Sequence, residues 1–344
     1  MKNGLNIEVE IDLSKICENI KSAKDRLQRI NARRIDFCLM LKADAYGHGL
    51  EKVAEATRDC VDSFGVVTLK EGLKVCKIAR KTPVFVTMPL ACEIEKGIRE
   101  DLTLGISNRS QLYALFECVK NGETKVHSPS VNLIVDSGMH RLGFDVGEVE
   151  EVVGEFKSRN VKIDGVCSHF GDHAETQKDR FDYACKIVRE AYPTAKRHIA
   201  SSHTFLNPDY AYDGVRIGLF AYLGAMSVKG RVIAVHSVSK GEYVGYGNFV
   251  SKEDMQVAVV FGGYADGIDR AFRYFAYNGK KLPIICVCMD LTIVDTNGER
   301  IKEGDVVEIV NNRKILEIAD DFSTIPYTLM TAWQGRIERK YTVR

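Results

Sequence analysis

The sequence predicts an α/β fold in which a closed barrel of parallel strands is followed by a mostly β domain. Eight short, continuous apolar runs alternate with amphipathic segments, and this alternation stops beyond Gly224. Continuous apolar runs are typical of parallel strands that are buried on both faces. Eight such units within about 190 residues favour a (β/α)8 barrel of the TIM type. An open, doubly wound sheet is the alternative, although no G-x-G-x-x-G follows the first run.

The elements of the barrel follow in chain order. Alternation at residues 6–13 predicts an early strand, and residues 13–27 show helical spacing of apolar side chains. The eight runs that predict the barrel strands are residues 35–41, 64–68, 83–87, 102–106, 131–136, 163–169, 197–201 and 214–218. The segments that predict helices are residues 50–60, 69–80, 110–119, 146–156 and 176–191. The third and seventh barrel helices have only weak signals.

The last third of the chain has the pattern of an antiparallel β domain. Its strand-like runs are residues 231–239, 256–261, 283–294 and 306–310, with a helix expected only near residues 324–331. Turns are expected at Lys240-Gly241, Asn278-Gly279 and Asn297-Gly298. We therefore expect a barrel domain at residues 10–226 and a β-rich domain at residues 227–344, which the N-terminal strand at residues 1–9 joins.

Composition excludes several classes of function. The 344 residues are 45% apolar and 28% charged, with a formal net charge of +1. This balance is ordinary for a globular protein; no basic excess indicates nucleic acid, and no long apolar span indicates a membrane. The N-terminus lacks an apolar signal core, so we expect a cytoplasmic protein.

The ten cysteines do not form a metal-binding pattern. They are scattered, and many lie inside apolar runs, as Cys38 and Cys167 do, which is typical of buried reduced thiols. Cys286 and Cys288 share one face of a predicted strand, but no second Cys or His cluster lies at ligand spacing. We therefore expect no metal.

Residues able to do chemistry follow the carboxyl ends of the predicted strands, where barrel enzymes place their sites. Lys42 follows the first strand, Arg141 the fifth and His169 the sixth, while Arg216 lies in the eighth. Burial can depress the pKa of a lysine and make its amine a nucleophile suited to a Schiff base. Each residue alone also fits an ordinary role, such as a strand-end lysine that reaches solvent. Because these residues would all lie at the same edge of the barrel, the pattern favours a functional site at that edge.

The same edge offers what a phosphorylated pyridine needs. Phosphate oxygens require hydrogen-bond donors that are not bulky. Such donors are available from the Ser202 hydroxyl, the amides near Gly218 and Leu219, and the Tyr46 hydroxyl. His169 and Arg216 are candidates for the ring face and the ring nitrogen. A permanently charged arginine at that nitrogen would leave it unprotonated and weaken the ring as an electron sink.

The segment LKADAYGHG at residues 41–49 closely resembles the pyridoxal-phosphate lysine motif of alanine racemases. The resemblance implies that Lys42 carries the cofactor and that Tyr46 contacts its phosphate. GMHRLGF at residues 138–144 resembles the family segment whose arginine, here Arg141, contacts the phenolic oxygen of the cofactor and the substrate.

Two further barrel segments are similar to cofactor-binding segments of the family. VRIGL at residues 215–219 resembles the one that supplies the pyridine-nitrogen arginine, here Arg216, and two phosphate-binding amides, here Gly218 and Leu219. In the pair after strand seven, the second residue binds phosphate, which corresponds to Ser202. The first is commonly asparagine in the family, and here it is Ser201.

The second domain continues the resemblance. GGYADGIDR at residues 262–270 is similar to the family segment whose tyrosine is the second catalytic base, here Tyr264. CMD at residues 288–290 resembles the segment that lines the substrate entrance, which assigns Met289 and Asp290. TIPY resembles the segment whose tyrosine reaches the phosphate, here Tyr327.

The resemblance implies a pyridoxal 5'-phosphate-dependent racemase, an isomerase that exchanges the α-proton of a small amino acid between two bases. It further implies a head-to-tail homodimer in which Tyr264 completes the partner's site, and a cytoplasmic supply of D-alanine for peptidoglycan precursors. A phenol with a reference pKa near 10 needs neighbouring positive charge to act as a base at neutral pH. We expect His169 and Arg216 to provide that charge.

The chain departs from the family at two positions. A lysine that is often carbamylated and orients the arginine is replaced by Ile134, so Asn132 or a bound anion is expected to orient Arg141. His140 fills a position that is small in many relatives. Either departure could accompany a substrate other than alanine, such as serine or a larger amino acid. A barrel decarboxylase of the same cofactor class and a non-catalytic carrier of pyridoxal phosphate are further alternatives. The GYADG segment argues against the first, and Tyr264, Met289 and Asp290 in an additional β domain argue against the second.

Overall fold

The computed structural model describes residues 7–120, 129–311, 314–335 and 337–343. The chain forms two compact units. The first comprises Cys17–Ala45 and Leu50–Ala221. The second comprises the chain up to Ile16, Tyr46–Gly49 and the chain from Tyr222 onward.

The first unit is a barrel of parallel strands. In chain order, after β1 at Glu8–Asp12, its strands are β2 Asp36–Met40, β3 Ser63–Val66, β4 Val84–Val86, β5 Thr103–Ile106, β6 Ser130–Asp136, β7 Phe144–Asp145, β8 Gly165–Cys167, β9 Lys196–His198 and β10 Gly214–Ile217. They pair in the order β10-β2-β3-β4-β5-β6-β8-β9, and β7 pairs only with β6. A parallel bridge between Ser201 and Arg216 links the two ends of this order and closes the ring.

Helices follow most of the strands because the intervening segments carry one apolar face. They span Leu13–Ile30, Leu50–Thr57, Leu69–Ile78, Ile94–Arg99, Arg109–Lys120, Val149–Ser158, Ala174–Ala191 and Leu219–Tyr222. Turns replace the seventh helix, and the amides of Thr204 and Phe205 donate to the Ser201 carbonyl. Pro208 explains this, since proline lacks an amide donor and disfavours helical geometry in the residue before it.

In its described residues, the second unit contains one sheet of eight strands. Besides β1, it contains β11 Met226–Val238, β12 Met255–Phe261, β13 Tyr274–Tyr277, β14 Lys280–Val287, β15 Leu291–Asp295, β16 Val306–Asn311 and β17 Glu338–Thr342. The order is β12-β15-β14-β13-β16-β11-β1-β17, with β12 also paired to β11. All neighbours are antiparallel except β1 and β17, which run parallel.

The predicted fold class is confirmed: a parallel eight-stranded barrel is followed by an antiparallel β domain. Several details differ from the expectations, and the strands β7, β13 and β17 were not expected. The run at residues 283–294 is two strands, because Cys288 donates its amide to the Leu291 carbonyl and closes a hairpin. A helix at Ile315–Asp321 precedes the expected one, which is Pro326–Thr331.

None of the helices in the described part of the chain is both long enough and apolar enough to cross a membrane.

Candidate active site

Lys42 stands at the start of an unusual backbone turn that follows β2. Residues Ala43, Asp44, Ala45 and Tyr46 all have positive φ, between 53° and 57°. For residues other than glycine, left-handed geometry costs about 1–2 kcal/mol each. Such strain persists only where the surroundings fix it, and it concentrates at functional sites.

Hydrogen bonds hold this turn at both ends. The Glu71 carboxylate accepts from the Ala43 amide at 2.9 Å and from the amides of Val67 and Thr68 at 3.1 and 3.0 Å. Asp44 accepts from the Leu50 amide at 2.8 Å, where the next helix begins. Glu71 therefore ties the loop after β2 to the loop after β3, and it fixes the backbone that carries Lys42.

The surroundings of Lys42 favour its neutral amine. Its pKa is lowered by burial first, and then by the positive charges of Arg141 and Arg216, while Glu71 acts in the opposite direction. A neutral amine is the form that attacks a carbonyl or accepts a proton. The structure therefore brings together three of the residues that were selected from the sequence.

The loop that carries Arg141 is shaped by Asp136 at the end of β6. One carboxylate oxygen accepts from the amides of Gly138, Met139 and His140 at 2.9–3.0 Å. Burial opposes ionisation of Asp136, but these amides outweigh it, so the pKa of Asp136 is lowered. A fixed anion thus organises the backbone immediately before Arg141.

Ile134 lies in an apolar cluster at the position where the resemblance implies a modified lysine. It is buried with Phe85 and Cys167, and Leu142 packs against them. Asn132, which was expected as an alternative support, faces β8: a Cβ on Gly165 would lie 2.2 Å from the Asn132 Oδ1. The described contacts of Asn132 therefore do not reach Arg141.

Arg216 is fixed by groups from the ends of β8 and β9. Its guanidinium contacts His198 Nδ1 at 2.6 Å and donates to the His198 carbonyl at 2.7 Å and to the Ser168 carbonyl. Burial and the Arg216 charge hold the pKa of His198 well below its usual value, so the ring is a neutral acceptor. His198, which was not selected from the sequence, therefore positions Arg216.

His169 is neutral at physiological pH. Burial and then the charges of Arg216, Arg141 and Lys42 lower its pKa to about 3. The expectation that His169 supplies positive charge is therefore not supported, and Arg216 is the charged member of the pair. A neutral His169 remains able to pack against a ring or to accept a hydrogen bond.

The Ser202 hydroxyl and nearby amides form a donor set at the end of β10. Ser202 Oγ accepts from the amides of Gly218 and Phe220 at 3.0 and 3.2 Å. Leu219, also selected from the sequence, lies between these two amides and is buried. Ser201 forms the bridge to Arg216 and donates its amide to Thr204. A hydroxyl with clustered amides is the donor chemistry that a phosphate group requires, so these residues fit the implied cofactor.

The second unit carries two further groups of predicted residues. Tyr46 stacks on Tyr222 with ring centroids 4.9 Å apart, and Tyr327 lies 5.9 Å from Tyr46. Burial raises the pKa of Tyr327, which keeps its hydroxyl protonated and able to donate. The structure therefore brings together the two tyrosines that the resemblance assigns to the phosphate.

Tyr264 lies on a short turn that is pinned to the β14–β15 hairpin. Its amide donates to the Cys288 carbonyl at 3.0 Å, and the Ala265 amide donates to the Met289 carbonyl at 3.0 Å. Tyr264 and Met289 are 48% and 54% exposed. Asp290 accepts from the Gly262 amide at 2.8 Å through its carbonyl. Tyr264, Met289 and Asp290 therefore form one exposed cluster.

A barrel with a half-buried lysine whose pKa is lowered beside two arginines is typical of an enzyme that binds a carbonyl compound, and comparison with known proteins gives its family. The alanine racemase N-terminal domain model matches residues 11–225, and the C-terminal domain model matches residues 225–341. The chain belongs to the alanine racemase family, whose enzymes are isomerases.

Relatives cover nearly the whole chain. It is 30% identical to an alanine racemase of Thermodesulfovibrio yellowstonii over 97% of both chains. The structure of alanine racemase from Acinetobacter baumannii matches with a TM-score of 0.87 and 26% identity, over 98% of this chain and 100% of that one. The structure of a Bartonella henselae alanine racemase with covalently bound pyridoxal phosphate shares the fold at 23% identity and a TM-score of 0.87. The match covers 98% of this chain and 100% of that one.

Proposed function

We propose that this protein interconverts L- and D-alanine by two-base proton transfer, with Lys42 acting on one face of the α-carbon and Tyr264 on the other. The observation that carries the proposal is the Lys42 amine, whose pKa is lowered by burial and by Arg141 and Arg216. A lowered pKa increases the neutral fraction of the amine, and the neutral amine can bind a carbonyl cofactor and accept a proton.

Pyridoxal 5'-phosphate is the proposed cofactor, and when bound it supplies the electron sink that acidifies the α-proton. Lys42 would hold its carbonyl carbon, and Arg141 its phenolic oxygen. Arg216 would face the ring nitrogen, and His169 the ring. The residues proposed for the phosphate are Tyr46, Ser201, Ser202, Gly218, Leu219 and Tyr327.

The chain's own groups then divide the work of proton transfer. The Lys42 amine takes or returns the proton at the α-carbon, and the Tyr264 phenol does so from the opposite side. Arg216, fixed by His198 and by the Ser168 carbonyl, keeps a permanent positive charge at the site. Arg141 orients the substrate carboxylate, while Met289 and Asp290 border its entrance.

We further propose a cytoplasmic homodimer. In this arrangement the barrel at residues 10–226 binds the cofactor. The β-rich domain at residues 227–344, with the N-terminal strand at residues 1–9, completes the partner's site. Residues 1–6 of that strand prediction lie outside the described residues. The D-alanine formed would serve peptidoglycan precursors.

A racemase for serine or another amino acid is the alternative. The buried, apolar Ile134 supports it, because no carbamylated lysine can orient Arg141 from that position. His140, at positive φ and near Asp136, is the second departure next to Arg141.

The test is incubation of the purified protein and its cofactor with each L-amino acid in deuterium oxide. We expect deuterium at the α-carbon and the D-isomer to appear fastest with alanine. Faster exchange of serine would favour the alternative. Exchange with no amino acid, despite bound cofactor, would refute a racemase and leave only a carrier of the cofactor.

A further inference from the structure

Two cysteines lie in contact beside the Tyr264 turn. Cys286 is near the end of β14, Cys288 follows it, and their sulfur atoms are 3.7 Å apart. Cys286 is buried, whereas Cys288 is partly exposed. All ten cysteines of the chain are free thiols in the structure.

This thiol pair joins two segments of the β domain. Cys286 Sγ donates to the Tyr246 carbonyl at 3.7 Å, and a Cβ on Gly245 would lie 2.8 Å from the Cys286 Cβ. The segment around Gly245 therefore packs tightly against Cys286. On the other side, the Cys288 carbonyl holds the Tyr264 amide at 3.0 Å.

We propose that Cys286 and Cys288 form a reversible oxidation site, taken to a disulfide by low-molecular-weight disulfides, and that closing this bond displaces the Tyr264 turn. The effect on catalysis rests on the proposed role of Tyr264 as a base; the formation of the bond does not.

The chemistry balances as thiol–disulfide exchange. The Cys288 thiolate, formed by loss of its proton to water, attacks one sulfur of the small disulfide and releases one small thiolate. The Cys286 thiolate then attacks the Cys288 sulfur and releases the second. Two protein thiols are oxidised, and one small disulfide is reduced to two thiols.

Geometry explains why the bond would move Tyr264. A disulfide needs its sulfur atoms about 2.0 Å apart, so the two must approach from 3.7 Å. Cys286 is held by the close packing of Gly245 and the contact with Tyr246. Cys288 must therefore supply most of the approach, and any shift of its backbone would carry the carbonyl that accepts from the Tyr264 amide.

The described surroundings of this pair do not form a metal site, and they make its oxidation dependent on pH. Within the described ranges of the chain, no cluster of three or more His, Cys, Asp or Glu side chains is placed to hold a metal ion. Burial, and then the Cys286 thiol, raise the pKa of Cys288 to about 11. Little thiolate therefore exists at neutral pH, and oxidation should accelerate as the pH rises.

The test treats the holoenzyme with oxidised glutathione and then with dithiothreitol. The tryptic peptide 282–300 contains both cysteines, so the bond appears as the loss of two hydrogen atoms within a single peptide. Amide hydrogen exchange at Tyr264 reports the displacement, and racemisation of alanine reports activity. Cys286→Ser removes the pair. Cys60→Ser is the matched control, because Cys60 lies beside Cys17 in the barrel and forms a separate thiol pair.

We expect wild type and Cys60→Ser to form the bond, to exchange the Tyr264 amide faster and to lose most of their alanine racemisation, all reversed by dithiothreitol. Cys286→Ser should keep its activity under oxidant. If Cys286→Ser folds poorly, Cys288→Ser serves instead as the variant that lacks the pair. An unchanged peptide 282–300, or a bond without faster exchange at Tyr264, would overturn the proposal. If the reduced protein exchanges no amino acid while the bond still forms and speeds exchange at Tyr264, the proposed function fails and the oxidation site stands.

Discussion

The charge state of Lys42 is set by its neighbours. Burial disfavours the ammonium form, and two nearby guanidinium groups disfavour it further. Arg216 is fixed by hydrogen bonds, whereas Arg141 is exposed on its loop. Arg141 can therefore be replaced with less risk to the fold.

Replacing Arg141 by glutamine should raise the pKa of Lys42 towards its ordinary value, because one repelling charge is removed. The measurement is an NMR titration of the cofactor-free protein with its lysines ¹³C-methylated, with the Lys42 signal assigned from a Lys42→Arg sample. Arg99→Gln, which removes an exposed helix arginine, should leave the titration unchanged. An unchanged Lys42 pKa in Arg141→Gln would contradict the electrostatic account.

His169 gives the protein a predictable dependence of stability on pH. Its pKa in the folded state is about 3, below the 6.5 of the free side chain. Between these values the unfolded chain binds the additional proton, so the free energy of unfolding rises with pH. The contribution of the neutral His169 to the free energy of unfolding is therefore complete above pH 6.5 and is lost as the pH falls towards 3.

Denaturant unfolding of the cofactor-free protein from pH 7 to pH 4 should show this loss. His169→Gln cannot take up the proton, so its free energy of unfolding should fall less steeply over the same range. Equal slopes for the two proteins would show that His169 is not held neutral in the folded state.

At the level of elements, loops fixed by backbone contacts hold the side chains proposed for catalysis. Gly143 shows this for the loop after β6: its φ is 125°, and a Cβ there would lie 2.5 Å from the Asp136 amide nitrogen. Only glycine fits both the angle and the space. Gly154, on the helix Val149–Ser158, has open space around its Cα instead.

Gly143→Ala should therefore destabilise the protein by about 1–3 kcal/mol and weaken cofactor binding through Arg141. Gly154→Ala is the matched control and should stabilise it by about 0.5–1 kcal/mol, since alanine favours a helix interior. Thermal unfolding and cofactor titration give both quantities. Equal effects of the two substitutions would refute the structural requirement at Gly143.

Much of this element order could be predicted from the sequence. All eight barrel strands were expected, because continuous apolar runs between amphipathic segments are typical of parallel strands covered on both faces. The strand Glu338–Thr342 was not expected, since ERKYT is polar and pairs with β1 from the far end of the chain. The local sequence around this strand does not show that it pairs with β1.

The sequence indicates residues proposed to do chemistry themselves more readily than residues that support another residue. Lys42 and Arg141 follow the carboxyl ends of strands, which is where a barrel enzyme has its active site, so they can be selected from the sequence. Glu71 belongs to a capping box with Thr68, a signal that indicates a helix start but not its bond to Ala43. His198 meets Arg216 only through the register of β9 and β10.

At the level of the whole molecule, the proposed dimer makes a specific prediction. If Tyr264 serves the partner's site, mixing a Lys42→Ala chain with a Tyr264→Phe chain should restore up to about one functional site per heterodimer, because one site then has both bases. Racemisation is measured after the two inactive chains are unfolded and refolded together. Mixing without refolding, which leaves the homodimers intact, is the control; no recovery in the refolded sample would count against a shared site.

The division of labour between Lys42 and Tyr264 is tested most directly by exchange in the Tyr264→Phe holoenzyme in deuterium oxide, starting separately from L- and D-alanine. Racemisation should fall by about 10²–10⁴-fold, the usual contribution of a general base. One enantiomer should still take up deuterium without inversion, because Lys42 continues to act on its own face. Deuterium uptake into both enantiomers, or racemisation at the wild-type rate, would contradict the two-base account.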